Sequence, residues 1–102
     1  MSRLPVFEDT SWMSSAHRGK LQWYTNFTWG DCDYRVVLTL GTKKAYVDLF
    51  SGRARRLTLI ADMFRTRLID LQRFAFDSAV YYLSQATPLA GAIQDPLPYW
   101  QH

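Results

Sequence analysis

The sequence predicts an α+β domain in which a three- or four-stranded antiparallel meander packs against one long C-terminal helix. Two patterns predict it. Apolar and polar residues alternate between residues 20 and 50 in runs separated by glycine-containing turns, which is typical of half-buried strands. After Gly52, residues 53–87 contain neither glycine nor proline, and their apolar residues recur at the three- and four-residue spacing of an amphipathic helix. A chain of 102 residues is expected to form one domain.

The first predicted strand covers residues 20–29, with one set of side chains directed towards the core: Leu21, Trp23, Thr25, Phe27 and Trp29. Residues 34–40 and 44–50 are the second and third strands, since they are rich in β-branched and aromatic residues. Turns are expected at residues 30–33 and 41–43, where glycine and aspartate favour chain reversal. Strands joined by short turns most simply form a meander.

The predicted helix presents one apolar stripe to the sheet: Leu57, Ile60, Ala61, Phe64, Leu68, Leu71, Ala75, Ala79 and Tyr82. Where this helix begins stays open, because residues 53–59 also fit a fourth strand joined through a turn at Ser51 and Gly52. The helix is expected to end at Thr87, before Pro88. Phe64 is expected to lie in the core, and its truncation to alanine should cost about 3–5 kcal/mol.

The two ends of the chain are expected to be less regular. Residues 1–8 form an extended arm in this prediction, and Asp9 or Thr10 caps a short helical turn over residues 11–16. Residues 87–102 form a proline-containing tail that carries Tyr99 and Trp100 near its end. We expect this tail to dock on the helix of its own chain.

Composition excludes several classes of protein. The single cysteine cannot form an intramolecular disulfide, and no cysteine cluster is present to hold zinc. The N-terminus lacks the apolar run of a signal peptide, and no stretch approaches the roughly 20 apolar residues of a membrane span. The expected location is therefore the cytoplasm.

No motif predicts catalysis. His17 and His102 have no sequence neighbours that suggest a triad or a metal site, and no glycine-rich phosphate-binding loop is present. Cys32 lies between Asp31 and Asp33, whose carboxylates disfavour a thiolate and are too few for a calcium site. The sequence predicts neither an enzyme, nor a cofactor, nor a metal ion.

The sequence instead predicts a non-enzymatic protein–protein interaction module, such as a small inhibitor, adaptor or accessory subunit of the kind that phages and plasmids encode. Aromatic residues reach 16%, and tryptophan, tyrosine and arginine are the usual anchors of interfaces. The predicted partner-binding residues are Trp12, Trp29, Tyr99 and Trp100 as anchors, with Lys43, Lys44, Arg53, Arg55 and Arg56 attracting an acidic partner. Several apolar residues between 69 and 83 lie off the stripe, which predicts either coverage by the tail or self-association there.

Nucleic-acid binding is the alternative. The net charge is +3, and the basic residues concentrate in the middle of the chain. Trp23, Tyr24, Tyr34 and Tyr46 are candidate stacking surfaces for bases on the predicted sheet. The charge is low for a nucleic-acid-binding module, which favours the protein partner.

Overall fold

A computed structural model describes residues 4–86, which form a five-stranded antiparallel sheet covered on one face by one helix. The α+β class is confirmed, with more strands than the three or four predicted. In chain order the elements are a 3-10 turn (Phe7–Asp9), β1 (Met13–His17), β2 (Lys20–Trp29), β3 (Cys32–Leu40), β4 (Lys44–Ser51), β5 (Ala54–Asp62) and α1 (Leu68–Ala86). The predicted tail, residues 87–102, lies outside the described residues.

The sheet is a simple meander, as predicted, with strand order β1-β2-β3-β4-β5. Its register places Thr25 opposite Val36, Val36 opposite Leu49, and Leu49 opposite Leu57. Opposed residues of antiparallel strands project from the same face, so these four residues form one buried row under the helix. The alternation predicted for β2 holds at Thr25, Trp23 and Phe27, whereas Leu21 at the strand's beginning is 45% exposed.

Of the two alternatives left open for residues 53–59, the fourth strand is confirmed and the helix is wrong, because residues 54–62 form strand β5. Leu57, Leu59 and Ala61 face the core at a spacing of two, while Ile60 is 63% exposed. Gly52, with φ at 62°, makes the tight β4–β5 turn that the fourth-strand alternative required. Pairing with β4 provides hydrogen bonds for the backbone groups of this segment that point towards β4, which outweighs the helical spacing of its apolar residues.

Phe64 lies in the connection between β5 and α1 and is 69% exposed. Its backbone N–H donates to an Asp62 carboxylate oxygen at 2.9 Å, and Arg65 follows with φ at 55°. The expectation that truncating Phe64 costs several kcal/mol is therefore wrong. The helix itself begins at Leu68, where the chain turns back over the sheet.

The helical stripe is confirmed from residue 71 onward, where Leu71, Ala75, Ala79 and Tyr82 are buried. The buried face is wider than predicted, since it also includes Phe76, Val80 and Leu83. A helix that lies across a broad sheet buries more than a narrow stripe. The off-stripe residues that stay partly exposed are Ile69, Phe74 and Tyr81.

The helical turn predicted for residues 11–16 is also wrong, since Met13–His17 form edge strand β1. The helical geometry occurs earlier, at Phe7–Asp9, where the Thr10 hydroxyl donates to the Phe7 carbonyl at 2.6 Å. The predicted extended arm is thus interrupted, because Phe7 is buried against Phe76 with ring centroids 6.4 Å apart. Gly19, with φ at 79°, makes the turn that returns the chain into β2.

Two buried polar atoms have no hydrogen-bond partner among the described residues: Trp23 Nε1 and Thr25 Oγ1. Thr25 is only 1% exposed, in the middle of the face that the helix covers. A buried hydroxyl without a partner loses its hydration without compensation, which costs roughly 1–3 kcal/mol.

Replacing Thr25 with valine should therefore raise the free energy of unfolding by about 1 kcal/mol, because valine keeps the shape and removes the uncompensated hydroxyl. Urea denaturation measures this change. The control is Thr39→Val, which removes the acceptor of the Gln22 side-chain hydrogen bond at 3.0 Å and should destabilise the fold. A loss of stability in Thr25→Val would show instead that the Thr25 hydroxyl makes a hydrogen bond.

Candidate functional site

The sheet face opposite the helix, here called the open face, is the main candidate site. None of the described residues that project from it on β2 to β5 is fully buried. It carries three aromatic side chains of intermediate exposure, each beside a cation: Arg35 lies 4.7 Å from the Tyr24 ring centroid, Lys20 5.6 Å from Tyr46 and Arg55 5.7 Å from Phe50. Cations at such distances are attracted to the ring.

Strand pairing builds this surface from residues distant in sequence. Tyr24 is opposite Val37, and Val37 is opposite Asp48. Two residues further along β3, on the same face, Thr39 is opposite Tyr46, and Tyr46 is opposite Ile60. The aromatic and apolar side chains of four strands therefore lie side by side in the middle of the open face.

Arg35 is held in place on this surface, towards the β2–β3 turn. Its Nε donates to Asn26 Oδ1 at 2.7 Å, which fixes the guanidinium over the Tyr24 ring. Among the described residues Arg35 forms no ion pair, so its charge is not neutralised by a carboxylate. Arg55 differs, because its Nε lies 3.5 Å from Asp48, which also accepts a hydrogen bond from Thr58 at 2.8 Å.

A groove of about 810 Å³ lies at the sheet end where the β2–β3 and β4–β5 turns meet. Arg35 and Arg53 both line it, and so do Val37 and Phe50. Asp33 is its acidic residue and accepts a hydrogen bond from Thr28 at 2.8 Å. The predicted residue Arg53 thus lines the same groove as Arg35, which is not among the predicted partner-binding residues.

A second groove of about 710 Å³ lies at the opposite sheet end, between the β1–β2 and β3–β4 turns. None of its described lining residues is acidic, and four are basic: Arg18, Lys20, Lys43 and Lys44. Lys43 and Lys44, at the β3–β4 turn, are among the predicted partner-binding residues, whereas Arg18 and Lys20, at the β1–β2 turn, are not. The available signal was the glycine after Arg18, which marks a hairpin once residues 13–17 are recognised as a strand.

The remaining predicted partner-binding residues are less exposed or lie elsewhere. Trp12 and Trp29 are half-buried and pack against the core, and the Trp12 Nε1 donates to the Thr10 hydroxyl at 2.9 Å. Arg55 and Arg56 are exposed at the beginning of β5. Tyr99 and Trp100 lie outside the described residues.

Two of the four predicted stacking residues face the helix rather than solvent. Trp23 packs against the core, and Tyr34 packs against Phe27 with ring centroids 5.4 Å apart. Burial, and then a hydrogen bond with Cys32, raises the pKa of Tyr34 above its usual value. Of the four predicted stacking residues, Tyr24 and Tyr46 are therefore the two placed where a ligand on the open face reaches them.

The helix side of the molecule has a different charge pattern. Glu8 lies 3.0 Å from Arg73, and its pKa is lowered by a backbone hydrogen bond and then by the Arg73 side chain. The Arg67 side chain donates to Asp70 and lowers the pKa of that carboxyl. Asp77 has a raised pKa because of partial burial. Two of the arginines here are therefore already paired with carboxylates, in contrast to Arg35.

The described residues contain no group of three or more histidine, cysteine, aspartate or glutamate side chains placed to hold a metal ion. Within the same part of the chain, no helix has the length and apolar character needed to cross a bilayer. Comparisons with protein-family models, with curated proteins and with solved structures find no match to this chain.

Proposed function

We propose that this protein is a non-enzymatic binding module that uses the open face to hold a protein partner with an acidic surface. The observation that carries the proposal is the set of three cation–aromatic pairs on one solvent-facing sheet surface. Tyrosine and arginine are the residues that most often anchor protein interfaces, because they combine large contact area with directed hydrogen bonding.

The distribution of charge supports an acidic partner. The 710 Å³ groove at one end of the sheet is lined by four basic residues. Arg35, which forms no ion pair within residues 4–86, adds a positive charge near the other end. Such a field steers an acidic surface towards the sheet and raises its association rate. The partly covered aromatic rings between the two ends then supply apolar contact area.

A module of this size acts by occupying a surface of its partner, which is the way small inhibitors, adaptors and accessory subunits work. We place the protein in this functional group, including the inhibitors that phages and plasmids encode against host systems. In that role the open face would be the contact surface, and the half-buried Trp12 and Trp29 would support the fold rather than the interface.

Binding of single-stranded nucleic acid is the second candidate. Tyr24 and Tyr46 lie on an antiparallel sheet surface with cations beside them, an arrangement that stacks bases and neutralises phosphates. The geometry around Tyr24 favours the protein partner instead. Arg35 already covers one side of that ring and is fixed there by Asn26, so a base would have to displace it.

The test combines two measurements on the full chain and on the double variant Arg35→Glu with Lys20→Glu. In affinity capture from a lysate of the source organism, we expect a protein retained by the wild-type chain to be lost with this variant. The matched control carries Arg67→Glu with Arg65→Glu on the helix side, which changes the net charge equally and should retain that protein.

Fluorescence anisotropy with labelled single- and double-stranded DNA and RNA at two salt concentrations distinguishes the second candidate. We expect no salt-sensitive binding to any of these oligonucleotides. Tight binding that weakens steeply with salt and is lost in the Arg35→Glu, Lys20→Glu variant would replace the protein partner with nucleic acid. Equal capture by both double variants would overturn the open face as the binding surface.

A further inference from the structure

Strand β5 is a nine-residue edge of the sheet, and within residues 4–86 no strand pairs with its outer side. The Met63 N–H donates to the Lys43 carbonyl at 3.1 Å, so the backbone of Met63 points towards β4. Backbone groups alternate in direction along an antiparallel strand. The N–H and C=O groups of Thr58 and Ile60 therefore point to the free edge.

The middle of this edge, residues 57–61, lacks the features that usually prevent pairing. Proteins protect edge strands with charges, prolines, bulges or short length. Residues 57–61 contain no charge and no proline, and their register with β4 is regular. The β-bulge of this strand falls before them, at Arg56, which has no partner between the pairs Phe50–Arg55 and Leu49–Leu57. The most exposed large apolar side chains described, Ile60 and Phe64, lie on this strand and directly after it.

We propose that two copies of this chain pair through β5 in antiparallel orientation and form one continuous sheet with twice the five strands of one copy. The two-fold axis passes at Leu59. Thr58 of each copy then exchanges backbone hydrogen bonds with Ile60 of the other copy, which uses the groups that point to the free edge.

Charge supports a second copy as the occupant. In antiparallel self-pairing the beginning of β5 in one copy lies beside the end of β5 in the other. The exposed Arg55 and Arg56 lie at that beginning, and the exposed Asp62 lies at that end. The strand is therefore self-complementary in charge, and the approach of opposite charges occurs twice by symmetry.

The two faces of the sheet also match across this pairing. Leu57 is opposite Ala61 of the second copy, and the two Leu59 residues meet at the axis. All of these side chains face the core, so the helix-covered face of one copy is continuous with that of the other. Thr58 and Ile60 continue the open face in the same way. The pairing covers neither face and thus does not rest on the proposed binding function.

Sedimentation equilibrium over a range of protein concentrations tests the proposal. We expect the mass to rise from 11.9 kDa towards twice that value, and the variant Ile60→Lys to remain a monomer. The control Ile69→Lys alters another exposed apolar residue, on α1, and should still dimerise. A wild-type monomer at every concentration, or a dimer lost in Ile69→Lys and kept in Ile60→Lys, would overturn the proposal.

A disulfide test checks the register. In a chain with Cys32→Ser, the double variant Thr58→Cys with Ile60→Cys should form a covalent dimer under mild oxidation. Hydrogen-bonded antiparallel pairs have Cα atoms about 5.5 Å apart, within the range of disulfides. Ser15→Cys in the same background places a thiol on the other edge, β1, and should give no dimer. A covalent dimer from Ser15→Cys alone would assign pairing to the wrong edge and contradict the proposal.

Discussion

Replacing Phe76 with alanine should lower the free energy of unfolding by about 3–5 kcal/mol. Phe76 is 1% exposed and lies where the helix, the sheet and the N-terminal turn meet. Its ring packs against Phe27 of β2 with centroids 5.2 Å apart and against Phe7 at 6.4 Å. Truncation would leave a cavity at this junction, because the surrounding backbone is fixed by strand pairing and cannot collapse into it.

Phe74→Ala is the matched control on the same helix, since Phe74 is 39% exposed and two residues away. It should cost much less than Phe76→Ala in the same denaturation experiment. The helical spacing selected neither residue for the main stripe, so the comparison tests the tertiary arrangement directly. An equal loss in both variants would mean that the helix is rotated from the orientation described.

Leu59→Ala should cost about 2–5 kcal/mol, the range for truncating a buried leucine. Leu59 is 2% exposed, on the helix-covered face of β5. Its neighbour Ile60 projects from the open face, so Ile60→Ala should change stability by about 0.5 kcal/mol or less. Denaturation must be measured at low protein concentration, because Ile60 also lies in the proposed dimer contact.

This pair of variants decides between strand and helix for residues 54–62. The helical stripe predicted from the sequence includes Ile60 and omits Leu59, whereas the strand buries Leu59 and exposes Ile60. A larger loss in Ile60→Ala than in Leu59→Ala would support the helix and contradict β5. It would also remove the edge on which the proposed dimer depends.

The two proposals have a joint consequence for binding. Pairing through β5 would place two open faces side by side on one sheet surface. A partner with two acidic sites, or a partner that is itself dimeric, would then bind through both faces at once, with an avidity above the affinity of a single face. The Ile60→Lys monomer would keep each single-face affinity and lose this gain.

The local spacing of apolar residues was sufficient to predict the centre of the sheet and the later part of the helix. In β2 the alternation of Trp23, Thr25 and Phe27 has only one arrangement that buries a single face. From Leu71 onward the spacing of apolar residues matches the helical period and no strand pattern competes with it. These elements were predicted because burial alone determines them.

Residues 54–62 could not be assigned from the sequence, because the helical and the strand periodicity both fit their apolar residues. Leu57, Ile60 and Ala61 fit a helix, while Leu57, Leu59 and Ala61 fit a strand. The backbone hydrogen bonds that β4 provides decide between them, and these depend on a partner strand rather than on local preference. β1 is a similar case, since its weakly patterned residues are strand only through pairing with β2.

The candidate site is likewise determined partly by the sequence and partly by the tertiary structure. The sequence by itself determined the composition from which a binding surface is built: many aromatic residues, and basic residues concentrated in and around turns. Only the tertiary structure decided which of them meet, because strand register brings Arg35 to Tyr24 and two separate hairpin turns bring Arg18 and Lys20 to Lys43 and Lys44. Contacts between strands depend on long-range pairing, which leaves no periodic trace in a single segment of sequence.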